Sequence, residues 1–85
     1  MDFLKQYQIK QIINENACIR DAYNEFLQCY SDYKYRIIDM YSEGGFSSGR
    51  ATCYIEFVKC GSIYEFRYYD GYNGIEKSIT KIRDI

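Results

Sequence analysis

Residues 51–70 read ATCYIEFVKCGSIYEFRYYD, and the alternation in this stretch decides the fold. Two apolar-polar runs meet at Cys60-Gly61 and read as a β-hairpin. Pairing them across a two-residue turn sets Lys59 opposite Ser62, Phe57 opposite Tyr64, Ile55 opposite Phe66 and Cys53 opposite Tyr68. The last three pairs make one face apolar and aromatic. The other face carries Val58/Ile63, Glu56/Glu65, Tyr54/Arg67 and Thr52/Tyr69. Side chains alternate with a period of two, so a one-residue slip would send every apolar set to the wrong side. The register is therefore specified by the pattern itself. A type I′ turn at this place asks Cys60 for a positive φ.

Upstream of the hairpin, residues 2–31 read as helix. Ile9, Ile12, Asn16, Ile19, Tyr23, Phe26 and Tyr30 follow a 3,4 alternation, the seam of a helix that buries one stripe. Asn14-Glu15-Asn16 interrupts it with poor helix formers. An unbroken helix of about 28 residues would run about 42 Å, against about 30 Å for a nine-residue strand. It therefore either overhangs the sheet or breaks near 14–16. Asn16 in an apolar seam also resembles the polar position that sets register in a coiled-coil dimer, so the 9–30 helix is a candidate homodimer contact. The alternative is a monomer whose helix lies on its own sheet.

Residues 33–42, YKYRIIDMYS, read as the first strand, with Tyr33, Tyr35, Ile37 and Asp39 on one face and Lys34, Arg36, Ile38 and Met40 on the other. The adjacent Ile37-Ile38 pair blurs that alternation and marks a bulge or a strand covered on both sides. Residues 43–49, EGGFSSG, form a Gly- and Ser-rich loop with Phe46 at its centre. It lacks the Lys and the following helix of a P-loop. After the hairpin, Asp70–Gly74 is a turn by composition. Asn73 with Glu76 resembles a capping box, and Ile75, Ile79 and Ile82 recur at helical spacing, so the chain is expected to close on a short amphipathic helix.

The expected class is α+β in the order α-β-β-β-α: a long N-terminal helix, a three-stranded antiparallel sheet and a short C-terminal helix, in one domain over 1–85. From Ala17 onward this order is similar to that of the double-stranded-RNA-binding domain. That family places a Lys cluster at the start of its last helix. Here Gly74-Ile75-Glu76-Lys77-Ser78 offers Lys77 beside Glu76, and the family's His-containing strand loop has no counterpart in 43–49. What the resemblance implies is nucleic-acid binding through Lys77, Lys81 and Arg83. Aromatic and basic residues on the sheet would be the alternative platform for stacked bases.

Composition narrows the function by exclusion. Lys and Arg number 11 against 12 Asp and Glu, so no basic field draws nucleic acid. No His supplies a general base near neutral pH, and no catalytic or phosphate-binding motif occurs. Cys18, Cys29, Cys53 and Cys60 form no CxxC pair, which points to free thiols in a reducing compartment rather than zinc, with disulfides in a secreted protein as the alternative. No apolar run has membrane-spanning length and no stretch has signal-peptide architecture, so a cytoplasmic protein without metal or cofactor is expected.

What remains is recognition. Eleven of the sixteen aromatic residues are Tyr, more than one small core would hide, and Tyr and Arg are enriched at interface hot spots. The expected function is a small non-enzymatic protein-binding module contacting its partner through Phe46, Tyr54, Ile63, Arg67 and Tyr69. Small domains without catalytic residues often serve phages or mobile elements as inhibitors of host defence, as anti-CRISPR proteins do. Such an inhibitor would occlude a surface of a larger protein or ribonucleoprotein.

Overall fold

The computed structural model describes residues 2–30, 34–44, 51–71 and 73–85. Two helices, α1 (Gln6–Glu15) and α2 (Ala17–Cys29), precede four strands, β1 (Arg36–Glu43), β2 (Thr52–Lys59), β3 (Ser62–Gly71) and β4 (Gly74–Asp84). The strands form one antiparallel sheet in the order β1-β2-β3-β4. The helices pack on one side of it, where α2 lies against β1, β2 and β3.

The break between the helices is made by Asn16. Its backbone N–H donates to the carbonyl of Ile12 and ends α1, while its side-chain oxygen accepts from the N–H of Ile19 at 3.1 Å and caps α2. Its amide nitrogen also donates to Ser42 Oγ on β1, at 3.3 Å. The polar residue in the apolar seam is thus a joint between two helices of the chain. The seam is occupied as well: its Ile9, Ile19 and Phe26, with the flanking Ala22, are buried in the chain's own core. A dimer through the 9–30 helix would have to displace them from the sheet.

Phe26 is the hub of that core. Its ring lies 5.0 Å from those of Tyr35 and Phe57, 5.3 Å from Tyr30 and 5.6 Å from Phe66, mostly edge to face. The β2–β3 pairing has the register that alternation requires, from Thr52↔Tyr69 to Lys59↔Ser62. Cys60 at φ 53° and Gly61 at φ 77° supply the two positive φ values of a type I′ turn.

Two expectations are corrected. The first concerns β1, where a bulge falls between Ile37 and Asp39. It shifts the alternation, so Ile37 and Met40, expected on opposite faces, both turn to the helices and are buried. Asp39 goes to the far side, opposite Glu56. The second concerns the C-terminus, which is a fourth strand and not a helix. Gly71 pairs with Gly74, and β4 runs back along β3 through Ser62↔Asp84. The spacing of Ile75 and Ile79 suits one face of a helix, but residues four apart also share one face of a strand. Ile75, Ile79, Thr80 and Ile82 are β-branched and favour the strand, and β3 offers an unpaired edge beside them. With a strand in place of the last helix, the order resembling the double-stranded-RNA-binding domain is not present.

Candidate functional site

One face of the sheet carries the helices; the opposite face carries no element among the described residues. The register places its side chains in cross-strand rows. One row runs Tyr41, Tyr54, Arg67, Ser78 and the next runs Asp39, Glu56, Glu65, Thr80. Thr52, Tyr69 and Glu76 flank the first row, and Arg36, Val58, Ile63 and Arg83 flank the second.

Tyr41 and Tyr54 stack, with ring centroids 5.0 Å apart and planes 21° from parallel. The Tyr41 hydroxyl donates to Glu56 Oε1 at 3.2 Å, which ties the aromatic row to the acidic one. Partial burial pushes the Tyr41 hydroxyl up to about 12, helped by the bond to Glu56 and by the charges of Glu56, Glu65 and Glu43. That hydroxyl is a fixed donor throughout the neutral range. Asp39 accepts from the N–H of Met40 at 2.8 Å. Glu56 and Glu65 stand directly opposite each other, a like-charge pairing that disfavours the sheet by a few tenths of a kcal/mol up to about 1.

Of the residues expected to meet a partner, Tyr54, Arg67 and Tyr69 lie on this face and are half-buried. Ile63 lies on it by register, between Val58 and Arg83, but is buried, at 4% exposed. Phe46 falls outside the described residues. Tyr41 and Asp39 were not singled out from the sequence. Finding them requires carrying β1 through its bulge before pairing it with β2.

The basic residues expected to reach phosphates are arranged otherwise. Lys77 bonds Glu25 on α2 at 3.0 Å, and Lys81 bonds Asp84 at 2.8 Å. Both lie on the helix side of β4, and only Arg83 shares the open face. Cys53 is buried against the core, and burial, with the neighbouring Cys18, pushes its thiol up to about 11. That leaves it a poor nucleophile at neutral pH. Among the described residues no three His, Cys, Asp or Glu side chains could hold a metal ion, and no helix is long and apolar enough to cross a membrane.

The fold and this face define an α+β domain in which two helices cover one side of an antiparallel four-stranded meander. No family model matches the chain, and the search finds no similar curated protein or solved structure.

Proposed function

We propose that the chain is a small protein-binding module that docks on a larger partner with the open face of its sheet, and that the partner presents Lys or Arg side chains to it. The observation that carries this reading is the stacked Tyr41-Tyr54 pair beside the carboxylate row Asp39, Glu56 and Glu65. Aromatic faces attract cations, and a cation between Glu56 and Glu65 would offset their mutual repulsion. The same row repels a phosphate backbone, which weighs against the nucleic-acid alternative. The absence of His and of catalytic motifs from the sequence supports a binding role over an enzymatic one. The small size of the domain supports the further proposal that binding occludes a partner surface, as in phage inhibitors of the anti-CRISPR type.

The test compares two baits in one lysate, the wild-type chain and the combined variant Tyr54→Ala, Arg67→Ala, Tyr69→Ala. Circular dichroism and a melt establish that both are folded. Proteins held by the wild type and lost from the variant support the face as the site, more so if raised salt releases them. If the variant retains the same proteins, the face is not the site.

A further inference from the structure

We infer that the free edge of β4 pairs with the β4 of a second copy of this chain, joining two four-stranded sheets into one about a twofold axis at Ser78. This edge borders the open face proposed to bind a partner, with Ser78 and Thr80 at the ends of its two rows. All eleven residues of β4 are exposed. Ile75, Ile79 and Ile82 are 51%, 39% and 45% exposed, an apolar content that a free edge ordinarily avoids.

The two edges of the sheet narrow the choice of occupant. At β1 the N–H of Leu4 donates to the carbonyl of Ile37 at 2.9 Å, and the Arg36 guanidinium lies 4.1 Å over the Phe3 ring. A head-to-tail contact of β4 with another copy's β1 would grow into a filament, and the N-terminal segment obstructs it. Pairing of β4 with β4 closes at two copies.

Charge then selects the register. Centred on Ser78, an antiparallel pair sets Ser78 opposite its mate, Lys77 opposite the partner's Ile79, Ile75 opposite the partner's Lys81 and Glu76 opposite the partner's Thr80. No like charges stand directly opposite each other; Lys77 lies diagonal to the partner's Lys77 and Lys81, and Ile75 lies diagonal to the partner's Ile79, all on the helix side. On the other face Glu76 lies diagonal to the partner's Arg83, which the bulge at Ile82 returns to that face. Centring on Ile79 would oppose Lys77 to the partner's Lys81; centring on Lys77 or Glu76 would oppose a charge to itself. The ammonium heads of Lys77 and Lys81 are already drawn to Glu25 and Asp84, which leaves their stems to cover the isoleucines.

The arrangement is sterically open. With α2 centred near β2, the two α2 helices stand about five strand spacings apart, roughly 24 Å, against a helix diameter of about 10 Å. The joined sheet has eight strands, within the usual range. Its two open faces lie on the same side, so the proposed binding surface is doubled and not covered.

Sedimentation or light scattering of the whole chain from about 1 to 200 μM should show mass rising from 10.2 kDa toward twice that value. Ser78→Lys, at an exposed position, should raise the dissociation constant tenfold or more by placing like charges at the axis. Ser78→Cys, with Cys29 and Cys60 changed to Ser, should cross-link to a dimer under mild oxidation by a small disulfide, each new bridge releasing two reduced thiols from the oxidant. Lys77→Cys in the same background should not. A monomer at every concentration, a dimer that Ser78→Lys leaves intact, or cross-linking through Lys77→Cys in place of Ser78→Cys would each overturn the inference.

Discussion

β1 and β4 are both outer strands of one sheet, yet a segment of the chain's own backbone lies on the outer edge of the first, while among the described residues no backbone segment lies on that of the second. β1 sends Ile37 and Met40 into the core, bends at its bulge and receives Leu4 and Phe3 along its rim. β4 sends no residue into the core. It is held by its ladder to β3, by Lys77 on Glu25, by the Ser62 hydroxyl on Asp84 at 2.6 Å, and by the Ile85 N–H on the Gly61 carbonyl at 2.9 Å. Pairing alone suffices to make a strand. Whether that strand also supports the fold depends on what covers it. Folding stability is thus concentrated in the helices and β1–β3, and β4 is a rim added to a domain already closed on its other side.

The largest expected effect tests that division. Phe26→Ala removes the hub of the aromatic cluster and should cost about 3–5 kcal/mol. Ile79→Ala, on β4, should stay within about 0.5 kcal/mol, as surface changes do. Urea denaturation of both variants measures the contrast. A cost at Ile79 comparable with that at Phe26 would mean that β4 belongs to the core after all.

A second experiment acts on the closed edge. Removing residues 1–4 takes away the Leu4 hydrogen bond and the Phe3 ring, for a stability loss of about 1–2 kcal/mol. It should also permit head-to-tail pairing of β4 with β1, giving species larger than a dimer by light scattering. A truncated chain of unchanged size would show that the N-terminal segment does not guard the edge.

The smallest effect is expected at the far end of β4. The Lys81 ammonium, and then the Ser62 hydroxyl, hold the Asp84 carboxyl below its ordinary value of 3.8. A carboxyl depressed in the fold stabilises it above that ordinary value, and the contribution is lost as pH falls through the depressed one. Exchange of the Ile85 amide, relative to that of β2 amides, should therefore quicken in acid below pH 3.8, and Ser62→Ala should bring the change on at higher pH. No dependence on pH would detach Asp84 from the fastening of the strand.

Much of this was legible in the residues. The full β2–β3 register followed from period-two alternation, because a slip would have exposed Phe57 and Phe66. The interruption at 14–16 and the irregularity at Ile37-Ile38 were also visible, as local breaks in a pattern. Their consequences were not: the bulge reverses which side Met40 and Asp39 face, and that reversal builds the acidic row. Of the expected contact residues, Tyr54, Arg67 and Tyr69 reach the open face because parity put them there. Ile63 has the same parity and is buried, since burial also depends on neighbouring strands.

By itself the sequence determined what depends on neighbours in the chain: the hairpin, its turn at Cys60-Gly61, and the helical stripe with its weak point at 14–16, whereas the break at Asn16 was settled by the structure. Only the tertiary structure decided the state of residues 74–84. Ile75 and Ile79, four apart, share one face of either a helix or a strand, so local periodicity could not separate the two. The unpaired edge of β3 did, by offering that segment a ladder of backbone hydrogen bonds along its whole length.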